Sequence, residues 1–324
     1  MRAVVLRSHG GPEVLGVEAV PDPEPGPEEV LVDVVATALN RADILQRMGF
    51  YPGPPMSHEI PGLEFAGRVA ATGARAVEWE VGDAVMGIVG GGAYAERLVV
   101  HERQVMAVPS HLAVADAAAI PEVFVTAWDA LVLQGGLTSG RWALVHAGGS
   151  GVGTAAIQIA RAIGARVAVT ASSGKLARCR DLGANVAIAR SPHDWLGELR
   201  EHVTGGIDVV LDVVGGDEVD RNVDALALKG RIVQVGTLTG GGRADVSKLM
   251  RKRAAIIGTL LRARPIEEKI SVSQRFAREV LPLFDTGALH PVIDRRYPLA
   301  EAAEAHRYME SNANVGKILL DVNP

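Results

Sequence analysis

The chain has 324 residues, 48% hydrophobic and 22% charged, with a formal net charge of −5. That is a globular composition, long enough for two domains, and its acidic balance argues against nucleic acid as the main partner. Its single cysteine, Cys179, excludes an internal disulfide and any metal site needing two thiolates from one chain.

The opening MRAVVLRSHGGPEVL reads as a strand rather than the apolar stretch of a signal peptide. No apolar segment is long enough to span a bilayer, so the expectation is a cytoplasmic protein without membrane contact. From residue 1 to about 121, short Val-rich runs (VVLRS, VLVDVVATAL, AGRVAATG, DAVMGIV, AERLVV) alternate with turn residues such as DPEPGPEE and GGG. This pattern predicts an all-β or barrel-like unit with few helices. From about 123 to 262 six apolar runs follow: RWALVHAG, ARVAVTAS, NVAIAR, IDVVLDVVG, GRIVQVG and AAIIGTLL. Helix-length stretches lie between them: GTAAIQIARAIG, GKLARCRDLG, HDWLGELREHV, DEVDRNVDALAL and DVSKLMRKR. The alternation predicts a doubly wound parallel sheet, an α/β fold. Cys179, inside one of the helical patterns, reads as a small packed residue. From about 265 onward the chain predicts one long amphipathic helix (EEKISVSQRFAREVLPLFDTG), a short strand, a helix (LAEAAEAHRYMES) and a final strand, VGKILLDV. This tail is too short for its own domain and is expected to pack back on the first unit.

The stretch HAGGSGVGTAAIQIA (146–160) sits where the first predicted strand of the second region passes into a helix. Its spacing is Gly148, Gly151, Gly153 rather than G-x-G-x-x-G, but the physics tolerates this. One glycine makes the turn, another lets backbone approach a pyrophosphate, and the helix start supplies free N–H groups. Gly148, Ser150, Gly151, Val152 and Gly153 are therefore the expected cradle of a dinucleotide. The next strand ends in TASSGK (170–175), with no acid for the ribose 2′-hydroxyl that an NAD site usually binds. Ser172 and Ser173 can instead hydrogen-bond a 2′-phosphate, and Lys175 and Arg190 can pair with it. The expected cofactor is NADPH, although both cations would also suit an ordinary solvated surface.

With these features on the page, the chain resembles the medium-chain dehydrogenase/reductase superfamily, specifically its zinc-free, zeta-crystallin-like quinone oxidoreductase branch. The matching stretches are GGPEVL (10–15), NRADILQRMGFYP (40–52), PGLEFAG (61–67), VFVTAWDAL (123–131), HAGGSGVGTAAIQIA (146–160), GTLLRAR (258–264) and NVGKILL (314–320). The resemblance implies a GroES-like β-barrel catalytic domain built from both chain ends (1–121 and 263–324), a Rossmann domain (122–262), and a substrate cleft between them. In zinc-containing relatives a Cys precedes an Asp by three residues and a Gly-His-Glu supplies the next ligand. Here those letters are Asn40, with Asp43, and Gly62-Leu63-Glu64. Asn40 and Leu63 cannot replace thiolate and imidazole around zinc, His58-Glu59 lies a few residues too early, and a lone Glu122 makes no site. The expectation is an enzyme with no metal.

What the resemblance implies for chemistry follows from that. A quinone accepts hydride through two conjugated carbonyls without a strong Lewis acid, so neutral donors suffice. Asn40 is the first catalytic and substrate-binding candidate, and Tyr51, by ring stacking and hydroxyl donation, is the second. Leu45 stands where some quinone oxidoreductases carry a tyrosine, which makes the pocket more apolar. Asp43 and Arg47, four residues apart on a predicted helix, are expected to pair with each other. Family positions also assign cofactor contacts to Phe124, Thr126, Val213, Gly236, Leu238, Leu260, Leu261, Arg262, Asn314 and Lys317, each of which would equally suit ordinary core or edge. The leading expectation is NADPH:quinone reduction with a small-molecule acceptor. The alternatives are reduction of α,β-unsaturated ketones or aldehydes and, in another class, a low-turnover crystallin-like or RNA-associated NADPH-binding protein. A homodimer is expected through the apolar last Rossmann strand at 254–261.

Overall fold

The computed structural model describes residues 1–190 and 194–322. β1 (Arg2–Leu6) and β2 (Leu15–Ala19) form a small antiparallel sheet. Next come β3 (Glu29–Ala38), α1 (Arg41–Arg47), β4 (Glu64–Thr72), β5 (Ala84–Ile88), β6 (Arg97–His101) and β7 (Val105–Ala107). β3 shows why this stretch is a strand: Val30, Val32, Val34 and Ala36 alternate with more exposed residues and are all buried. Two helices follow, α2 (Val114–Ala117) and α3 (Pro121–Trp128), the latter continuing as a π-helical segment, Asp129–Gln134.

The alternating region then runs β8 (Trp142–His146), α4 (Gly151–Ala162), β9 (Arg166–Ala171), α5 (Leu176–Asp181), β10 (Val186–Ala189), α6 (Trp195–His202), β11 (Ile207–Asp212), α7 (Glu218–Ala225), β12 (Leu226–Gln234), α8 (Val246–Lys252) and β13 (Ala255–Gly258). The tail supplies α9 (Ile266–Glu279), α10 (Pro282–Asp285), β14 (Ile293–Pro298), α11 (Ala302–Glu310) and β15 (Lys317–Asp321).

Three helix expectations change at their ends. The long helix from Glu267 stops at Glu279 and α10 begins at Pro282, because proline has no N–H to donate and disfavours helical geometry in the residue before it. DEVDRNVDALAL is helical only to Ala225; Leu226 already pairs with Ile207 and opens β12. In HDWLGELREHV the first residue, His193, lies outside the described residues, and α6 starts after Asp194, whose side chain accepts the Leu196 N–H.

The chain forms two compact units, Met1–Val125 with Arg262–Pro324, and Thr126–Leu261. The first is the GroES-like unit. Its main sheet has the order β14-β15-β3-β4-β5-β7, with β6 also pairing to β3, around a core that includes Val30, Val32, Phe65, Val85 and Leu320. The second is the Rossmann unit, six parallel strands in the order β10-β9-β8-β11-β12-β13. The order reverses beside β8, and ligands of open α/β sheets bind at the carboxyl ends of strands flanking such a reversal. β13 is an edge strand of this sheet, with Ile256 38% exposed. Cys179 is buried in α5, and burial pushes its thiol up to about 11. No helix among the described residues is long and apolar enough to cross a membrane.

Candidate active site

In the Rossmann unit, β8 ends at His146 and the chain turns through Ala147, whose φ of 54° is left-handed, into α4. The missing side chains are required. A Cβ on Gly153 would lie 2.4 Å from the Ala147 carbonyl oxygen, and one on Gly148 would lie 2.8 Å from Val169 Cβ. Ser150 is the N-cap: its hydroxyl accepts the Gly153 N–H at 3.0 Å. Gly151 and Val152 head the helix, where N–H groups have no helical acceptor and the helix dipole favours an anion.

Lys175 lies along this turn; a Cβ on Gly149 would come within 2.7 Å of its Cδ. Ser172 and Ser173 are exposed at the end of β9, and the Arg190 N–H donates to the Ala171 carbonyl at 2.9 Å. Ser172, Ser173, Lys175 and Arg190 thus share one strand end with the glycine turn, and no acidic residue stands at 170–175. On the other side, the Leu238 N–H donates to Val213 O at 3.3 Å and Gly236 N–H to Asp212 O at 3.4 Å, which brings Val213, Gly236 and Leu238 together.

Beneath these loops runs a buried polar chain that the sequence did not announce. The Asp212 carboxylate accepts the backbone N–H groups of Val214 (2.6 Å) and Gly215 (3.0 Å) and the Asn222 Nδ2–H (3.0 Å). Asn222 Oδ1 meets His146 Nε2 at 2.7 Å, and His146 Nδ1 meets Thr170 Oγ1 at 2.8 Å. Because a carboxylate only accepts, the Asn222 amide is oriented by Asp212, and His146 Nε2 must be the donor to Asn222. The chain ties the ends of β8, β9 and β11 to α7. Its members come from distant positions, so no local spacing reveals them.

The GroES-like unit gathers a second group. Asn40 caps α1, and its backbone N–H donates to the Asp43 carboxylate at 2.7 Å. Asp43 also accepts from the Gly62 N–H and the Tyr94 hydroxyl, both at 3.2 Å. Burial pushes the Asp43 carboxyl up to about 6. The expected Asp43–Arg47 pair does not form. Arg47 reaches Glu310 and the Gly10 carbonyl instead, while Asp43 is turned inward by the N–H groups it accepts. Tyr94 continues to His306 Nε2 at 3.4 Å, and burial, with Arg47 adding to it, pushes the His306 imidazole down to about 3.

The Asn40 amide donates to Glu64 Oε1 at 2.8 Å and accepts from Lys317 Nζ at 2.8 Å. Lys317 was expected at the cofactor; it is 2% exposed, and its ammonium is engaged with Leu39 O, Asn40 Oδ1 and Glu64 inside this unit. Arg262, expected near the carboxamide, donates to Gly90 O, Tyr51 O and Gln46 Oε1, and its guanidinium lies 4.9 Å from the Tyr51 ring centroid. Its three side-chain nitrogens are thus engaged by three separate segments: the turn after β5, the loop that carries Tyr51, and α1. Tyr51 is half-buried, and burial raises its phenol, so it stays a proton donor at neutral pH. Leu45 is half-buried on α1. Phe124 is buried edge-to-face against Phe284, and Thr126 and Asn314 are buried as well, Asn314 donating to Gly316 O. Leu260 is exposed and Leu261 half-buried just past β13.

Zinc does not fit these residues. Leu63 is apolar and buried, Asn40 is an amide bound to an ammonium and a carboxylate, and Ser57-His58-Glu59 lie in a loop. Among the described residues no group of three or more His, Cys, Asp or Glu could hold a metal ion.

Two family descriptions match the chain: Alcohol dehydrogenase GroES-like domain over residues 26–110 and Zinc-binding dehydrogenase over residues 151–278. The rat synaptic vesicle membrane protein VAT-1 homolog is 30% identical over 344 residues, covering 100% of this chain and 85% of that protein. Among solved structures, an NAD-dependent alcohol dehydrogenase superposes with a TM-score of 0.88 at 34% identity, covering 100% of both chains. The Escherichia coli quinone oxidoreductase complexed with NADPH superposes with a TM-score of 0.90 at 27% identity, covering 99% of this chain and 100% of that one. The barrel unit built from both chain ends, the Rossmann unit with its glycine turn and these full-length likenesses agree: the chain belongs to the medium-chain dehydrogenase/reductase superfamily of oxidoreductases.

Proposed function

We propose that the protein is an NADPH-dependent quinone reductase of the zinc-free branch of its superfamily. The observation that carries the cofactor assignment is the end of β9. It offers two exposed hydroxyls, Ser172 and Ser173, and two cations, Lys175 and Arg190, where an NAD site usually offers a carboxylate. A 2′-phosphate is an acceptor-rich dianion that suits such a group. The neighbouring turn suits a pyrophosphate, since Ser150 caps α4 and the N–H groups of its first turn have no helical acceptor. When bound, NADPH supplies a hydride.

The remaining work falls to residues of the GroES-like unit. The Asn40 amide donates a hydrogen bond to one carbonyl oxygen of the acceptor, where negative charge develops as hydride adds. Tyr51, braced by Arg262 under its ring, offers an apolar wall and keeps its phenolic proton. Hydride addition to a quinone needs one proton per hydride to give the hydroquinone, and neither step demands a metal. The likeness to the Escherichia coli quinone oxidoreductase supports this reading.

The protonated Tyr51 phenol also favours a second reading, reduction of an α,β-unsaturated ketone or aldehyde, in which hydride adds to the β-carbon and the phenol delivers the proton to the α-carbon. A substrate panel separates the two. Consumption of NADPH with 1,4-benzoquinone or phenanthrenequinone but not with alkenals is the expected outcome, and the reverse pattern overturns it in favour of the second reading.

A further inference from the structure

Glu64 opens β4, Lys317 opens β15 and Asn40 follows β3, so three neighbouring strand ends bring an anion, a cation and an amide to one buried point. The Lys317 ammonium has three hydrogens and meets three acceptors: the Leu39 carbonyl at 2.6 Å, Asn40 Oδ1 at 2.8 Å and Glu64 Oε1 at 2.7 Å. Glu64 is itself fixed from both sides. Its Oε1 accepts the Asn40 Nδ2–H at 2.8 Å, and its Oε2 accepts the Glu122 backbone N–H at 2.8 Å.

These partners leave the amide one orientation. An ammonium can only donate and a carboxylate can only accept, so Oδ1 faces Lys317 and Nδ2 faces Glu64. A flipped amide would set N–H against ammonium and carbonyl against carboxylate. Of the two Nδ2 hydrogens, one is held by Glu64. The other makes only a long bond to the Ala38 carbonyl at 3.4 Å, at the weak end of the hydrogen-bond range. Asn40 is also the most accessible of the three residues, at 8% against 2% for Lys317 and 0% for Glu64.

We propose that Lys317 and Glu64 are positioning residues that lock the Asn40 amide, so that its second Nδ2–H is held ready for the carbonyl oxygen of the acceptor. The use made of that hydrogen rests on the quinone-reductase reading; the lock itself rests on the geometry. A buried ion pair that only joined three strand ends would show the same contacts, so the test must read the amide and its use separately.

Removing Lys317 alone leaves the Glu64 carboxylate buried and unpaired and invites unfolding. The pair is therefore removed together, as Lys317→Met/Glu64→Gln, with and without Asn40→Ala. Two measurements are made on the full chain: the side-chain amide resonances of Asn40, identified by their loss in Asn40→Ala, and kcat and KM for 1,4-benzoquinone with NADPH. The expected result is that Lys317→Met/Glu64→Gln draws the two Asn40 amide protons together in chemical shift. It also lowers kcat about tenfold with a smaller change in KM, and lowers kcat no further once Asn40 is Ala. Unchanged amide resonances overturn the lock. Equal kcat losses with and without Asn40 overturn the positioning role and leave a purely structural pair. Absence of turnover on any quinone overturns the reductase reading alone, because the amide spectrum reads the lock without substrate.

Discussion

At the end of β8 the chain prepares for a ligand with backbone: a left-handed Ala147, glycines at 148, 149, 151 and 153, and a serine cap that leaves N–H groups at the head of α4. At the end of β3 it uses buried polar side chains instead, most of them ionisable. Asn40, Asp43, Glu64, Tyr94, His306 and Lys317 satisfy one another inside the GroES-like unit. The first site is made by neighbours in sequence, and its donors carry no titratable proton. The second is assembled from segments up to 277 residues apart, and its state depends on pH. Backbone preparation is thus local and constant, whereas side-chain preparation is distributed and adjustable.

The sharpest way to break that contrast is acid. Burial raises the folded Asp43 carboxyl from 3.8 to about 6, and burial with Arg47 lowers the folded His306 imidazole from 6.5 to about 3. On acidification the unfolded chain protonates His306 first, so that contribution to stability is lost from pH 6.5 downward to about 3. The folded chain protonates Asp43 first, so that contribution is gained from about pH 6 to about 4. The two oppose each other in the shared window. His306→Gln removes the loss and keeps the gain, so its stability deficit against the unaltered chain should narrow by about 3 kcal/mol between pH 6.5 and 4. Urea unfolding at both pH values checks this; a deficit that stays constant removes the titrating core from the account.

Next in size is a test of the backbone site. Gly153→Ala sets a Cβ against the Ala147 carbonyl oxygen, and the turn must shift, costing about 2 kcal/mol of stability. Unlike the His306 effect, this loss should be the same at pH 6.5 and 4. Thermal unfolding at the two pH values measures it, and a pH-dependent loss would mean that the turn is coupled to a titrating group. Smallest is Lys175→Ala, which should weaken NADPH binding about tenfold, about 1.4 kcal/mol, and leave NADH unchanged. Fluorescence titration with both cofactors decides it, and an unchanged preference removes the 2′-phosphate assignment.

The same contrast explains what was legible in the sequence. Six apolar runs separated by helical stretches become six parallel strands, because buried strands are written as contiguous Val, Ile and Ala. The glycine turn could be seen because its parts sit within a few letters. The partners of Asn40 could not, since Glu64 and Lys317 are ordinary charges until the sheet places β4 and β15 beside β3. Lys317 and Arg262 were assigned to the cofactor from family positions; in the folded chain their side chains also hold Leu39 O, Asn40 and Glu64, and Gly90 O, Tyr51 O and Gln46, contacts that no spacing announces. Asp43 and Arg47 showed a helical spacing that suits a pair four residues apart. Both are buried, and each finds stronger partners from other elements. The helix break before Pro282 could be read from the proline and was overridden by the apolar period.

Cys179 has one more consequence. Quinones are soft electrophiles that alkylate thiolates, so a protein that handles them risks arylation by its own substrate. This chain carries one cysteine; it is buried, and with its thiol raised to about 11 it is ionised in about one molecule in ten thousand at neutral pH. Under the proposed quinone-reductase function, a reactive acceptor would then find no accessible thiol to consume, and the protein would outlast many equivalents of it.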